Sequence, residues 1–294
     1  MARDVVASGD APRGTTPGLL YVVSTPIGNL ADLSHRAHAV LGAVSAILAE
    51  DTRHSRTLMA HYAIATPLQA YHEHNEAREA PRAVARLLAG ESLALVSDAG
   101  TPLVSDPGAR LVHAAVAAGV QVVAVPGASA LLAALVSSGL AGERFTFFGF
   151  LPRSGVSRTA ALHAVATLAH TAVVYEAPGR VSATLAALGA AGAALRRVVV
   201  ARELTKKFEE IRRGTVQELA AYYEGRAPKG EVVLVVEGTG DDEAAPGEDA
   251  LWTQAEALKG TGARARDVMA ALIAAGAPRN VAYRLAHEVR DDTP

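Results

Sequence analysis

The chain has 294 residues, half of them hydrophobic and 20% charged, with a formal net charge of −2 and no cysteine. That is a globular composition with enough length for a sizeable core, and the missing cysteines exclude disulfides and thiolate metal sites. No apolar run reaches the ~18 residues of a membrane span, so a cytoplasmic protein is expected.

Residues 1–18, rich in small and turn-forming residues and without a hydrophobic signal core, read as a disordered arm. A strand is expected over 19–24, ending in Thr25-Pro26-Ile27-Gly28-Asn29, and helical spacing follows over 33–44. A short strand at 46–49 runs into Glu50-Asp51-Thr52-Arg53-His54, then helices are expected at 56–62 and 76–89. The run Leu93-Ala94-Leu95-Val96 stops abruptly in Ser97-Asp98-Ala99-Gly100-Thr101-Pro102. It reads as a buried parallel strand whose polar turn lies at its carboxyl end, where open α/β sheets bind ligands. A helix at 107–118, a strand at 121–125 and a helix opened by Pro126-Gly127-Ala128-Ser129 complete the first half. Strands alternating with helices imply a parallel sheet.

The second half reads as a mixed α/β domain. Strands are expected at 145–150, 171–175, 197–202, 207–213 and 232–237, with helices at 158–168, 181–188 and 216–223. The acidic stretch 239–250, with Pro246 and Gly247, reads as a linker. Two or three short helices follow in a basic appendage, 251–294, where bases outnumber acids by three between 251 and 290. The chain has four lysines against 24 arginines; this bias suits bidentate phosphate contacts, or reflects genome composition.

Several clusters could carry chemistry. Neither a GxGxxG fingerprint nor a Walker loop follows the first strand. Glu50-Asp51-Thr52-Arg53-His54 packs acids, bases and a hydroxyl behind a strand; the alternative is a capped helix start, because Asp51 or Thr52 caps well. His72-Glu73-His74 has superficial metal-ligand spacing but no third ligand, and no metal is expected. Arg202-Glu203-Leu204-Thr205-Lys206-Lys207 could hold an anion, or be a solvated hairpin.

Taken in order, the motifs resemble the tetrapyrrole methylase superfamily, and within it the branch acting on small-subunit ribosomal RNA. The resemblance runs from about Leu19 to Gly238. It is carried by Leu20 to Leu30, Ala49 to Arg53, Ser97 to Pro102, Ser105-Asp106-Pro107-Gly108, Val125 to Ser129, Phe147 to Pro152, Tyr175-Glu176-Ala177-Pro178, Arg202 to Lys206 and Gly230-Glu231. It implies two α/β domains, 19–127 and 128–238, with the cofactor in the cleft between them. It implies methyl transfer from S-adenosylmethionine to the 2′-oxygen of a cytidine in the decoding region of 16S rRNA, by a homodimer. Cofactor contacts are implied for Pro26, Ile27, Asp98, Ala99, Gly100, Thr101, Val104, Ser129, Ala130, Glu176, Ala201, Leu204, Val232 and Val233.

Methyl transfer from a sulfonium needs the accepting oxygen held in line with the methyl carbon, and a base or nearby cation helps a weakly acidic hydroxyl. Glu50, Asp51 and Glu203 are the expected proton acceptors, with Lys206 or Arg53 lowering the hydroxyl's pKa or holding phosphate. Arg264, Arg266 and Arg279 of the appendage are expected to meet RNA. The near-neutral charge suggests an assembled 30S particle as partner rather than naked RNA. The alternatives are a methyltransferase of the same fold acting on a tetrapyrrole precursor, and a non-enzymatic cofactor-binding RNA module.

Overall fold

A computed structural model describes residues 16–240 and 248–288. The expected arm up to residue 15, most of the linker (241–247) and the end of the appendage lie outside the described residues. The chain divides into two compact units after Ala130. Among the described residues no helix is long and apolar enough to cross a membrane.

The first unit is built on a parallel sheet of five strands: β1 (Leu20–Val23), β2 (Ala46–Ala49), β3 (Leu68–Ala70), β4 (Leu93–Val96) and β5 (Val122–Val125). Their spatial order is β3-β2-β4-β1-β5. Alternate residues of each strand face opposite sides, and both sides are covered. Val23, Ile47, Ala49, Ala94 and Val96 pack against α1 (His35–Ala43) and α2 (Thr52–His61). Leu20, Ala46, Leu48, Leu93 and Leu95 pack against α3 (Glu76–Leu88) and α4 (Ala109–Ala117).

That arrangement determines where a ligand site can form. The chain leaves β1 and β2 toward helices on one face, and leaves β4, which lies between them, toward a helix on the other. Neighbouring strand ends whose loops diverge to opposite faces leave a crevice, the switch point at which such sheets bind ligands. The loop after β4 carries Asp98-Ala99-Gly100-Thr101.

The second unit contains a mixed sheet: β6 (Phe145–Phe150), β7 (Thr171–Glu176), β8 (Arg197–Arg202), β9 (Glu210–Thr215) and β10 (Val232–Val236), in the order β6-β7-β10-β8-β9. Only β6 and β7 run parallel; the remaining pairs are antiparallel. Helix α5 (Ala130–Ser138) is tied to β9 by Arg213, which donates to the Ser137 and Ser138 carbonyls. The central strands are nearly all Val, Leu and Ala. One face carries Ala172, Val174, Val198, Val200, Leu234 and Val236 into a core with α6 (Gly155–Ala166), α7 (Val181–Leu188) and α8 (Val216–Tyr223). A capping box opens α8: Thr215 Oγ accepts from the Glu218 amide while Glu218 accepts from the Thr215 amide.

Three helices, α9 (Glu248–Gly260), α10 (Ala265–Ala274) and α11 (Arg279–His287), close around their own apolar cluster of Leu251, Ala255, Val268, Leu272, Leu285 and neighbours. Helix α9 begins at Glu248, inside the stretch expected to be linker. Lys259 Nζ donates to the Leu285 and Glu288 carbonyls at the end of α11, satisfying acceptors the helix cannot satisfy itself.

Candidate functional site

In the first unit, the loops after β1, β4 and β5 are laced together at the strand ends. The Thr25 amide donates to the Gly100 carbonyl at 2.8 Å, and the Gly100 amide returns to the Thr25 carbonyl at 3.0 Å. Ser24 and Thr101 hydroxyls pair at 2.9 Å, and the Ala128 carbonyl accepts from Thr101 Oγ1 at 3.2 Å. Gly100 holds φ at +79°, and a Cβ there would meet Ile27 Cγ2 at 3.3 Å. Only glycine adopts that conformation without penalty while letting the two loops close. The sequence reading expected Gly100 to offer its backbone to a ligand; its amide and carbonyl are instead taken by Thr25, so Gly100 sets the loop's shape.

Asp98 accepts from the Asp51 amide at 3.0 Å, joining the end of β4 to the end of β2. Thr25, Pro26, Ser97 and Asp98, with Ser55 and Met59 of α2, line a cavity of about 190 Å³. The helical residues of that wall went unnoticed in the sequence. Ile27 is buried beside Gly100; Ala99, Thr101, Val104, Ser129 and Ala130 are half-buried along the same loops. Backbone strain concentrates here: Leu103 and Ser105 hold φ at +72° and +69°. Non-glycine residues pay for that conformation, and such strain clusters at functional loops.

Glu50 and Asp51 behave oppositely. Burial, then repulsion from Asp106 and Asp98, raises the Glu50 pKa. Asp106, missed as a site residue although its motif was visible, is itself raised by burial and held by Ser97. Asp51 caps α2. Its carboxylate accepts from the Arg53 amide at 2.8 Å and from the Arg53 guanidinium at 3.0 and 2.7 Å. These bonds hold its pKa well below the usual carboxylate range. Asp51 therefore corrects the expectation of a proton acceptor: its lone pairs are committed and its basicity is low. Arg53 folds back on Asp51 with its side chain 87% exposed.

In the second unit, Glu203 and Lys206 sit on the loop leaving β8. Glu203 (φ +51°) and Thr205 (φ +67°) are again in the left-handed region. Lys206 Nζ lies 2.9 Å from both Glu203 Oε1 and Glu231 Oε2, and Glu203 Oε1 also accepts from the Glu231 amide at 3.1 Å. The Lys206 bond lowers the Glu203 pKa. For Lys206, burial works to lower the pKa, but the two carboxylates together outweigh it and the net shift is upward. Gly230 (φ +84°) has no room for a side chain, because a Cβ would overlap the Glu203 carboxyl. Glu231 was quoted in the sequence motif but not as a partner of Lys206.

Two expected cofactor residues are placed otherwise. The Glu176 side chain is fully buried. It accepts from the Thr184 hydroxyl at 2.5 Å and the Ala177 amide at 2.8 Å, and pairs with Arg180 at 3.2 Å. Arg158 stands 4.0 Å away. The carboxylate thus anchors the end of β7, its oxygens engaged by neighbouring groups of the same unit. Val232 points into the helix-covered core. Val233 and Ala201, in register with each other and with Tyr175, lie on the opposite face of the sheet, and Leu204 is buried next to them in sequence. Arg264, Arg266 and Arg279 are all exposed on the helical appendage. His72 and His74 stack edge to face 5.9 Å apart, and among the described residues no group of three His, Asp or Glu could hold a metal ion.

Residues 19–220 match the family model of Tetrapyrrole (Corrin/Porphyrin) Methylases. The chain is 52% identical over 233 residues to "Ribosomal RNA small subunit methyltransferase I" of Xylella fastidiosa, covering 79% of this chain and 85% of that protein. It is 44% identical over 275 residues to the protein of that name from Synechocystis, covering 93% and 94%. Among solved structures it is similar to a cobalt precorrin-4 methyltransferase, with a TM-score of 0.59 at 18% identity over 78% of this chain and 98% of that one. A uroporphyrin-III C-methyl transferase from Thermus thermophilus, solved with S-adenosyl homocysteine, gives a TM-score of 0.55 at 20% identity, covering 76% and 97%. The two α/β units thus have the tetrapyrrole methylase fold, and the chain belongs to the tetrapyrrole methylase family, on the branch of the relatives named ribosomal RNA small subunit methyltransferase I.

Proposed function

We propose that this protein uses S-adenosylmethionine to methylate the 2′-oxygen of a cytidine ribose in the decoding region of 16S rRNA. The observation that carries the reading is near-full-length similarity to relatives named for small-subunit rRNA methylation, at 44% identity over 93% of the chain. The strand-end loops support this reading: Thr25, Pro26, Ser97 and Asp98 line a cavity at the switch point of the parallel sheet. When bound, S-adenosylmethionine supplies an electrophilic methyl group on a sulfonium.

The residues of this chain divide the remaining tasks. Glu50 carries a raised pKa, which makes it the stronger base of the two motif acids and the better suited to accept a proton. Lys206, held between Glu203 and Glu231, offers a fixed positive charge that favours the alkoxide form of a ribose hydroxyl or holds a phosphate. Arg53 presents a guanidinium to solvent and suits a phosphate oxygen. The two acid–base sets lie in different units, so substitution separates them: Glu50→Gln tests the first and Lys206→Met the second.

The substrate in this reading is the assembled 30S particle, met by Arg264, Arg266 and Arg279, and the protein acts in the cytoplasm as a homodimer. Mapping 2′-O-methylation along 16S rRNA with and without the protein tests the reading. A single new mark on a decoding-region cytidine is expected. Methyl transfer to a tetrapyrrole precursor with none to rRNA overturns it.

A further inference from the structure

Arg279, Tyr283 and His287 recur at every fourth position of α11 and so share one stripe of the helix. The opposite side of α11 buries Ala282, Leu285 and Ala286 in the three-helix core. Arg266 and Met269 of α10, with Asn280, complete the walls of a concavity of about 740 Å³ over that stripe. The volume is within the range of small-molecule pockets and admits a nucleotide.

The chemistry of the walls is specific. Tyr283 and His287 rings pack with centroids 4.3 Å apart at an interplanar angle of 31°, and Tyr283 is 59% exposed. The Tyr283 carbonyl can only accept, so the His287 Nδ1 at 2.7 Å carries a proton, and this bond fixes the ring against the tyrosine. Among the described residues, the Arg266 and Arg279 guanidinia have no hydrogen-bond or ion-pair partner, and no carboxylate lines the concavity. Elsewhere in the same appendage a basic side chain is engaged: Arg284 lies 3.8 Å from Glu288. Two free guanidinia beside a half-open, pre-stacked aromatic pair match a nucleobase with its flanking phosphates. An acidic peptide would use the two guanidinia but leave the exposed ring pair without a planar partner, which a nucleobase supplies.

We propose that this stripe is a stacking platform for one unpaired RNA base, with Arg266 and Arg279 taking the flanking phosphates. The inference rests on the reading of rRNA as substrate and adds the mode of contact. A base within an A-form duplex is stacked on its neighbours and cannot enter, so the platform selects single-stranded segments or loops. Stacking supplies sequence-tolerant affinity, and the arginines supply its salt dependence.

The test uses the full chain and a fluorescein-labelled single-stranded RNA oligonucleotide, with the same sequence as a duplex for comparison, across a salt series. The single strand is expected to bind more tightly. Tyr283→Leu is expected to weaken it about tenfold without changing the salt slope, whereas Tyr283→Phe binds as the unsubstituted chain does. Arg266→Gln and Arg279→Gln are each expected to flatten the log–log salt slope by about 0.7. Circular dichroism and urea denaturation check that each variant folds. Unchanged binding by a folded Tyr283→Leu overturns the platform, as does equal affinity for the duplex. Loss of 30S affinity in Tyr283→Leu with oligonucleotide binding intact assigns the face to a protein and overturns it too. Methyl transfer to 30S RNA, measured in parallel, separates the two readings. Transfer with Tyr283 dispensable for RNA binding overturns the platform alone. No transfer with the tenfold loss retained overturns the proposed function alone.

Discussion

Gly230→Ala probes the Glu203–Lys206–Glu231 cluster through a position that has no space for a methyl group. The backbone there has φ +84°, and a Cβ would overlap the Glu203 carboxyl. Two costs add. Alanine in the left-handed region is disfavoured by about 1–2 kcal/mol, offset by a few tenths from its stiffer unfolded chain. Displacing Glu203 then breaks its bonds from Lys206 Nζ and the Glu231 amide, which contribute about 1–2 kcal/mol together in this half-buried setting. The expected loss is about 2–4 kcal/mol by urea denaturation. Because the second cost acts only through Glu203, it vanishes when that side chain is shortened. In a Glu203→Ala background, Gly230→Ala should cost only about 1 kcal/mol, a clear departure from additivity. Methyl-transfer assays of the same variants should show Gly230→Ala and Glu203→Ala impaired to a similar degree. Additive stabilities, or unimpaired transfer by Gly230→Ala, would refute the view that Gly230 exists to seat Glu203 beside Lys206.

Other consequences follow from the same geometry. Glu176→Ala leaves Arg158 and Arg180 facing an emptied buried site and should destabilise the second unit by about 3–5 kcal/mol in urea denaturation, whereas Thr184→Val, removing the bond to Glu176 and the one from Arg158, should cost about 1–3 kcal/mol. The raised Glu50 pKa means that its charge opposes folding: stability is retained below the unfolded value of 4.5 and falls as pH rises through the folded value. Glu50→Gln should therefore stabilise the protein at about pH 7 and confer no gain at about pH 4, while lowering methyl transfer. Asp51 has the opposite sign: its lowered pKa stabilises above 3.8 and the benefit is lost as pH falls. Asp51→Asn should weaken the fold at neutral pH and leave transfer nearer to normal than Glu50→Gln does, as read by denaturation and single-turnover rates.

Much of the fold was legible because local patterning and tertiary demand agree. Strands β2, β4, β6 and β8 and helices α7 and α8 span the ranges their patterning predicts. Boundaries failed where a side chain, rather than hydrophobicity, decides. Helix α2 starts at Thr52, four residues earlier than its apolar spacing suggests, because Asp51 caps it. The expected strand at 207–213 lies at Glu210–Thr215, since the loop before it is spent on positive-φ turns around Lys206. Strand β3 escaped notice: three residues, two of them exposed, carry no periodic signal. The candidate site was legible as motifs but not as contacts. That Thr25 clasps Gly100, that Asp98 holds the Asp51 amide and that Lys206 reaches Glu231 all follow from strand order and loop strain, neither of which a single sequence displays. The same limit explains Glu176 and Val232: the motif places them at a strand end, while burial decides that one anchors the loop and the other fills the core.

The most direct test of the account is the chemical identity of the product. Purified 30S particles lacking the mark are incubated with methyl-labelled S-adenosylmethionine and the protein, and the RNA is digested to nucleosides for mass spectrometry. Label is expected in 2′-O-methylcytidine and is expected to be lost in Lys206→Met. Label on a base, or on a different nucleoside, would contradict it.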